Sequence, residues 1–238
     1  MKNSMKAILK TFLALLLIST LTFSCSNDDS SQPKFSETPT ALAKFDGSNF
    51  GTYKGVFTGS TGTIVINLND DNTKSAVLTI DGKAYTYTAT ETSANGQVTI
   101  GLTFTNGASS FDFNVSASGE EPNITNIIII GHPLAGIEIQ KEYSDKIVKC
   151  YIGTYTGLDK KNYEPFNMSL SKDKLIGLAA RPVSNEEPVS MTGSVLLNTF
   201  MGTAGNGSFK GTITDENING TWENTDGDKG TFSGKRAL

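Results

Sequence analysis

Histidine, cysteine and tryptophan are nearly missing: one, two and one of them in 238 residues. Triads and zinc sites built on histidine need it in company. The single one, in Gly131-His132-Pro133, falls where the sequence reads as a turn. No Gly-x-Ser-x-Gly is present, and Gly207-Ser208-Phe209-Lys210-Gly211 matches only its outline. Ser171-Lys172-Asp173-Lys174 has the letters of Ser-x-x-Lys. It follows a strand-like stretch without companion motifs, and reads as a charged turn. No catalytic residue and no cofactor motif emerges. Asn69-Asp70-Asp71-Asn72 and Asp226-Gly227-Asp228 offer oxygens, but neither has the spacing or distal Glu of a calcium loop, so both read as hairpin turns. The sequence assigns no metal ligand.

Long hydrophobic runs are also lacking. The longest uncharged apolar stretch, Thr11–Phe23, is shorter than the about 20 residues a spanning helix needs. It follows Lys2, Lys6 and Lys10 and ends at Ser24-Cys25, the three-part order of an export signal over residues 1–24. This leader resembles a bacterial lipoprotein signal, in which the cysteine carries the lipid. It departs from the general motif in having Thr22 three residues before the cysteine and bulky Phe23 two before. It is similar in this to the looser box of Bacteroidota lipoproteins. Asp28-Asp29 behind the cysteine resemble the surface-export signal of the same group. The resemblance implies lipid attachment at Cys25, a membrane partner through that lipid, and outer-membrane display on the cell surface, with the periplasmic face as the alternative. Residues 25–44 read as a polar linker, poor in apolar side chains.

Positive charge is short too. Without the three leader lysines the chain keeps 17 basic residues against 24 acidic ones, a formal charge of −7. That offers no electrostatic footing for nucleic acid. With Cys25 acylated, Cys150 has no partner for an intrachain disulfide. Within Val148-Lys149-Cys150-Tyr151-Ile152 it reads as a small buried hydrophobe.

What the sequence does have is alternation. Val98/Ile100/Leu102/Phe104, Phe111/Phe113/Val115, Phe166/Met168/Leu170 and Tyr85/Tyr87/Ala89 each alternate with polar residues, as strands with one buried face do. Asp81-Gly82, Asn95-Gly96, Asn106-Gly107, Asn206-Gly207, Asn219-Gly220 and Asp226-Gly227 supply hairpin turns. The pattern predicts an all-β antiparallel meander of two β-barrel or β-sandwich units, 45–142 and 147–238. The charged stretch 141–148 is the boundary between them. A short helical turn is expected at Asp173–Ile176. The run Ile127-Ile128-Ile129-Ile130 predicts a strand buried on both faces or crossing between layers.

Gly-Thr-aromatic recurs at Gly51-Thr52-Tyr53, Gly153-Thr154-Tyr155, Gly220-Thr221-Trp222 and Gly230-Thr231-Phe232. The first two extend to a second glycine, at Gly55 and Gly157, and each would open one half, which suggests a duplicated unit. Glycine there can bend a strand or admit a ring over its bare backbone. These features resemble the small meander barrels of the lipocalin and avidin type, whose first strand carries Gly-x-Trp. Here Tyr replaces that Trp. The terminal Phe232–Arg236 segment would supply the basic residue such barrels place over an aromatic.

Tyr53, Tyr85, Tyr87, Tyr155 and Trp222 are the candidate ligand-binding residues, with Tyr151 and Tyr163 of the same kind. They either line a pocket or pack in a core. The expected function is a non-enzymatic binding or structural module at the cell envelope, with a small-molecule, glycan or protein ligand. The alternatives are a lipocalin-like carrier of a small apolar molecule and a hydrolase acting on glycan or envelope substrates.

Overall fold

The computed structural model describes residues 35–68, 74–92, 97–159, 161–181 and 185–238. Cys25, the leader, the start of the expected linker and the Asn69–Asn72 and Asn95-Gly96 turns lie outside them.

Ser36–Leu238 is a single compact unit. A 3-10 turn, Ala43–Phe45, precedes sixteen strands. The first eight are β1 (Gly51–Thr58), β2 (Thr61–Leu68), β3 (Lys74–Ile80), β4 (Lys83–Thr88), β5 (Thr99–Asn106), β6 (Ser109–Ser116), β7 (Asn123–Ile128) and β8 (Gly136–Lys141). They form an antiparallel sheet in the order β7-β6-β5-β4-β3-β2-β1-β8, a near-barrel whose seam lies between β7 and β8. The second eight are β9 (Val148–Gly157), β10 (Glu164–Ser171), β11 (Lys174–Arg181), β12 (Glu186–Leu196), β13 (Thr199–Ala204), β14 (Gly207–Ile213), β15 (Asn217–Asn224) and β16 (Lys229–Arg236). They close into a barrel, with β16 paired back onto β9. The expected pair of antiparallel meander units is therefore what the chain forms, and both resemble lipocalin-type barrels.

The two units share one construction. On β1, Tyr53, Gly55 and Phe57 face Lys141, Ile139 and Ile137 of β8. On β9, Tyr151, Gly153 and Tyr155 face Arg236, Gly234 and Phe232 of β16. Each first strand thus carries Tyr-x-Gly-x-aromatic against a last strand that ends in a buried basic residue. The glycines allow the closing strand to come close: a Cβ on Gly55 would lie 2.0 Å from the Glu138 carbonyl oxygen, and one on Gly153 would lie 2.1 Å from that of Ser233. The equivalence differs from the Gly-Thr-Tyr repeat read in the sequence. Gly51 opens β1 at φ 119°, a backbone conformation suited to glycine, whereas Gly153 lies inside β9.

Three further expectations are corrected. Ile127–Ile130 is not buried on both faces: Ile129 is buried, but Ile128 and Ile130 are 56% and 67% exposed. The reason is that β7 ends at Ile128 as the edge strand beside the seam. Lys172 and Asp173 form a tight hairpin turn rather than a helical one, and Lys174–Ile176 already belong to β11. Asn219-Gly220 is not a turn: it lies inside β15, paired with β14 and β16. At the boundary between the units, Lys141 and Glu142 are buried.

Glu142 organises that boundary. It takes hydrogen bonds from Lys54 Nζ (2.7 Å), the Thr40 amide and hydroxyl (both 2.7 Å), and the Val148 amide (3.0 Å). Lys141 Nζ donates to the carbonyls of Phe45 (2.7 Å) and Ser48. Glu37 pairs with Lys149 (2.7 Å) and Arg236, so the end of the expected linker is fastened to the body.

Between the units, Asn167 Nδ2 donates to the Phe57 carbonyl (2.7 Å) and Gln140 Nε2 to Ser169 Oγ (3.0 Å). Cys150 is a free, fully buried thiol packed with Val56, Val148 and Leu238.

Candidate functional site

The two interiors differ in how they are filled. In the first unit Tyr53, Phe57, Phe104, Phe111 and Phe113 are fully buried and interlock with aliphatic residues from β2, β3 and β5 to β8. Tyr53 and Phe113 meet edge to face at 4.9 Å, and Phe104 stacks on Phe111 at 5.3 Å. Tyr53 and Tyr87 are therefore core residues, and Tyr85 packs half-buried against the same cluster. Their rings fill space that a ligand would need. The Tyr53 hydroxyl is satisfied by the Asn49 carbonyl at 2.7 Å.

In the second barrel the middle is plugged by Phe166, Phe200, Phe209 and Phe232, whose rings meet at 5.1–6.4 Å. These rings fit because glycines stand opposite them. Gly220-Thr221-Trp222 and Gly230-Thr231-Phe232 pair antiparallel, so Gly220 faces Phe232 and Gly230 faces Trp222. Phe200-Met201-Gly202 and Phe209-Lys210-Gly211 repeat the exchange, Phe200 facing Gly211 and Gly202 facing Phe209.

Beyond the plug, toward the turns after β9, β11, β13 and β15, the barrel opens. A cavity of about 660 Å3 lies there, between Tyr155, Phe166, Ala179, Val189, Met191, Ala204, Phe209, Trp222 and Phe232, with Arg181, Glu187, Asn206 and Asn224 at its rim. Tyr155 and Trp222 meet edge to face at 6.0 Å. The Tyr155 hydroxyl reaches the Ala180 carbonyl (2.7 Å) and the Glu164 carboxylate. Burial, then the bond to Glu164, pushes its phenol well above the usual range, so it stays a neutral donor near neutrality. Trp222 Nε1 donates to the Thr156 carbonyl at 3.1 Å, which leaves the ring itself as the contact surface. Arg181 is held by Glu186 at 2.7 Å and by the Glu187 carbonyl at 3.4 Å. Asn206 Nδ2 bonds Asp226 Oδ2 (2.9 Å) and Thr225 Oγ1 (3.2 Å) across the rim.

The chemistry on offer is an apolar, aromatic-walled hollow with a hydrogen-bonded rim. Among the described residues no three His, Cys, Asp or Glu side chains converge as a metal site would require. His132 lies in the first unit, edge-on to Phe57 at 5.3 Å. The Asp226-Gly227-Asp228 segment is a hairpin turn in which Asn224 Oδ1 accepts the Asp226 and Asp228 amides at 3.0 and 2.9 Å.

Of the candidate ligand-binding residues, Tyr155 and Trp222 reach this cavity, Tyr53, Tyr85 and Tyr87 do not, and Cys25 lies outside the described residues. Arg181, Val189 and Ala204 were not singled out in the sequence, and Asn206 was singled out only as a turn residue. They are ordinary inward or turn positions, and only the position of the aromatic plug decides that they border empty space.

No family model matches the chain, and no curated protein matches it.

Proposed function

We propose that the chain is a non-catalytic carrier, whose second barrel takes up a small, mainly apolar molecule at its open end. The observation that carries this reading is the aromatic-walled cavity of about 660 Å3, within the roughly 300–1,000 Å3 typical of small-ligand sites. The polar rim suits a ligand with an apolar body and a hydrogen-bonding end. Trp222 is the sole tryptophan and lines this cavity, so its fluorescence reports on binding there. Titration with anilinonaphthalene sulfonate is expected to quench Trp222 saturably at one site per chain, and fatty acids of graded length are expected to displace the dye and relieve that quenching. Ala204→Phe narrows the mouth and should abolish binding while the urea midpoint holds. Unsaturable quenching, or equal binding by the variant, would overturn the carrier reading.

The second reading concerns where the carrier works. We infer that it is an envelope lipoprotein tethered through an acyl lipid on Cys25 and displayed at the outer membrane. The support is the charged, apolar and small-residue order of residues 1–24 and the acidic pair Asp28-Asp29. Lipid labelling and surface protease shaving of a Cys25→Ser variant test it. Undiminished membrane retention of the variant counts against the tether.

A further inference from the structure

The two ends of the second barrel are unlike. The turns after β9, β11, β13 and β15 surround the cavity mouth. The opposite end carries the turns after β10, β12 and β14, and it is there that the N-terminal segment reaches the body. Glu37 pairs with Lys149 at 2.7 Å, and Arg236 Nη2 donates to the Ser36 carbonyl at 2.6 Å. Lys149, Leu197, Asn198 and Asp215 line one hollow at this end, so the β12–β13 hairpin tip borders the same hollow as Lys149, the residue that Glu37 holds.

That tip is unusual. Leu196 and Leu197 are 75% and 89% exposed. Leu197 also holds φ at 57°, a conformation that glycine or asparagine fills at less cost. A bulky apolar side chain is thus kept, against both solvation and backbone preference, at a hairpin tip. Charge does not account for it. Lys149 is neutralised by Glu37 and Asp215 at 2.7 Å each.

We propose that the Leu196-Leu197 tip is a membrane contact, set into the lipid surface so that the cavity mouth faces away from the bilayer. This rests on the tether reading above. Cys25 precedes Ser36 by eleven residues, which span at most about 40 Å. A lipid on Cys25 therefore keeps the end that holds Ser36 and Glu37 within about 40 Å of the bilayer. The apolar tip at that end meets the lipid interface, where exposed leucines gain by leaving water. The ligand then exchanges on the side away from the anchoring membrane.

The test uses the full chain, isolated from cells and reconstituted into phosphatidylethanolamine–phosphatidylglycerol vesicles that contain a nitroxide lipid. A thiol-reactive fluorophore is placed at Asn198→Cys, or at Asp226→Cys beside the mouth. Buried Cys150 does not react in the folded protein. Strong nitroxide quenching at position 198, with background quenching at 226, is the expected result. Leu197→Gly fits the backbone and so keeps the fold, and it should reduce quenching at 198. Equal quenching at both sites, stronger quenching at 226, or no effect of Leu197→Gly overturns the orientation. A chain with neither new cysteine that takes the label at Cys25 is unacylated, and that result overturns the tether and this orientation together.

Discussion

The ring of Phe232 lies over the bare backbone of Gly220, its cross-strand partner. A Cβ at Gly220 would sit 2.3 Å from Phe232 Cζ and 2.3 Å from the Lys210 carbonyl oxygen. Neither neighbour can move freely, since Phe232 also packs against Phe166, Phe200 and Phe209. Gly220→Ala is therefore expected to cost about 1–3 kcal/mol through overpacking. Gly47, where an added Cβ meets nothing within 4 Å, is the control, with a change within about 0.5 kcal/mol. Urea unfolding of the two variants provides the comparison.

Asn167 joins the two units. Its buried amide donates to the Phe57 carbonyl at 2.7 Å and the Ser60 carbonyl at 3.1 Å. Asn167→Ala leaves those acceptors without this donor at a place shielded from water. A loss of about 2 kcal/mol or more is expected, read as a lower urea midpoint. An unchanged midpoint would mean that water enters the interface and replaces the amide.

Glu142 predicts an acid-sensitive boundary. Burial opposes its ionisation, but hydrogen bonds from Lys54, Thr40 and Val148 outweigh that and hold its carboxyl below the ordinary 4.5. A carboxyl more acidic folded than unfolded contributes stability that is complete above the unfolded value and is lost as pH falls through the folded one. Glu142→Gln leaves Lys54 without its counter-charge and should cost about 3 kcal/mol at pH 7. The gap between parent and variant should shrink as pH falls below about 4.5. Stability curves that stay parallel down to the acid transition would rule out this role for Glu142.

Cys150 should be silent to thiol reagents in the native state. It is fully buried, and burial pushes its thiol up to about 12, where thiolate is scarce at neutral pH. Ellman's reagent should find no reactive Cys150 in the folded chain. One thiol should appear on unfolding if Cys25 is acylated, and two if it is not.

Much of the fold was legible because alternation is a local property. Phe111, Phe113 and Val115 must share one face of any strand they form, and Asp81-Gly82, Asn106-Gly107, Asn206-Gly207 and Asp226-Gly227 do reverse the chain, whereas Asn219-Gly220 is held straight inside β15 by its ladders on both sides. Four isoleucines in a row misled because whether Ile128 and Ile130 meet solvent depends on β7 having no ladder with β8. The Gly-Thr-Tyr repeat misled similarly, since the same three letters open β1 and sit inside β9. The charge of Lys141 and Glu142 marks the boundary in the sequence, but their burial does not show there, because their partners come from distant parts of the chain.

The candidate site was legible only in part, at Tyr155 and Trp222. Tyr53 and Tyr87 are the same kind of residue on the same kind of strand, but they fall within a core that their own neighbours fill. The sequence by itself determined an all-β chain in two meander units, its strand patterning and most of its turn positions. Which interior closes and which opens was decided only by the tertiary structure. A cavity is the difference between the volume that strands enclose and the volume their side chains occupy, and that difference depends on which rings and glycines meet across the ladder.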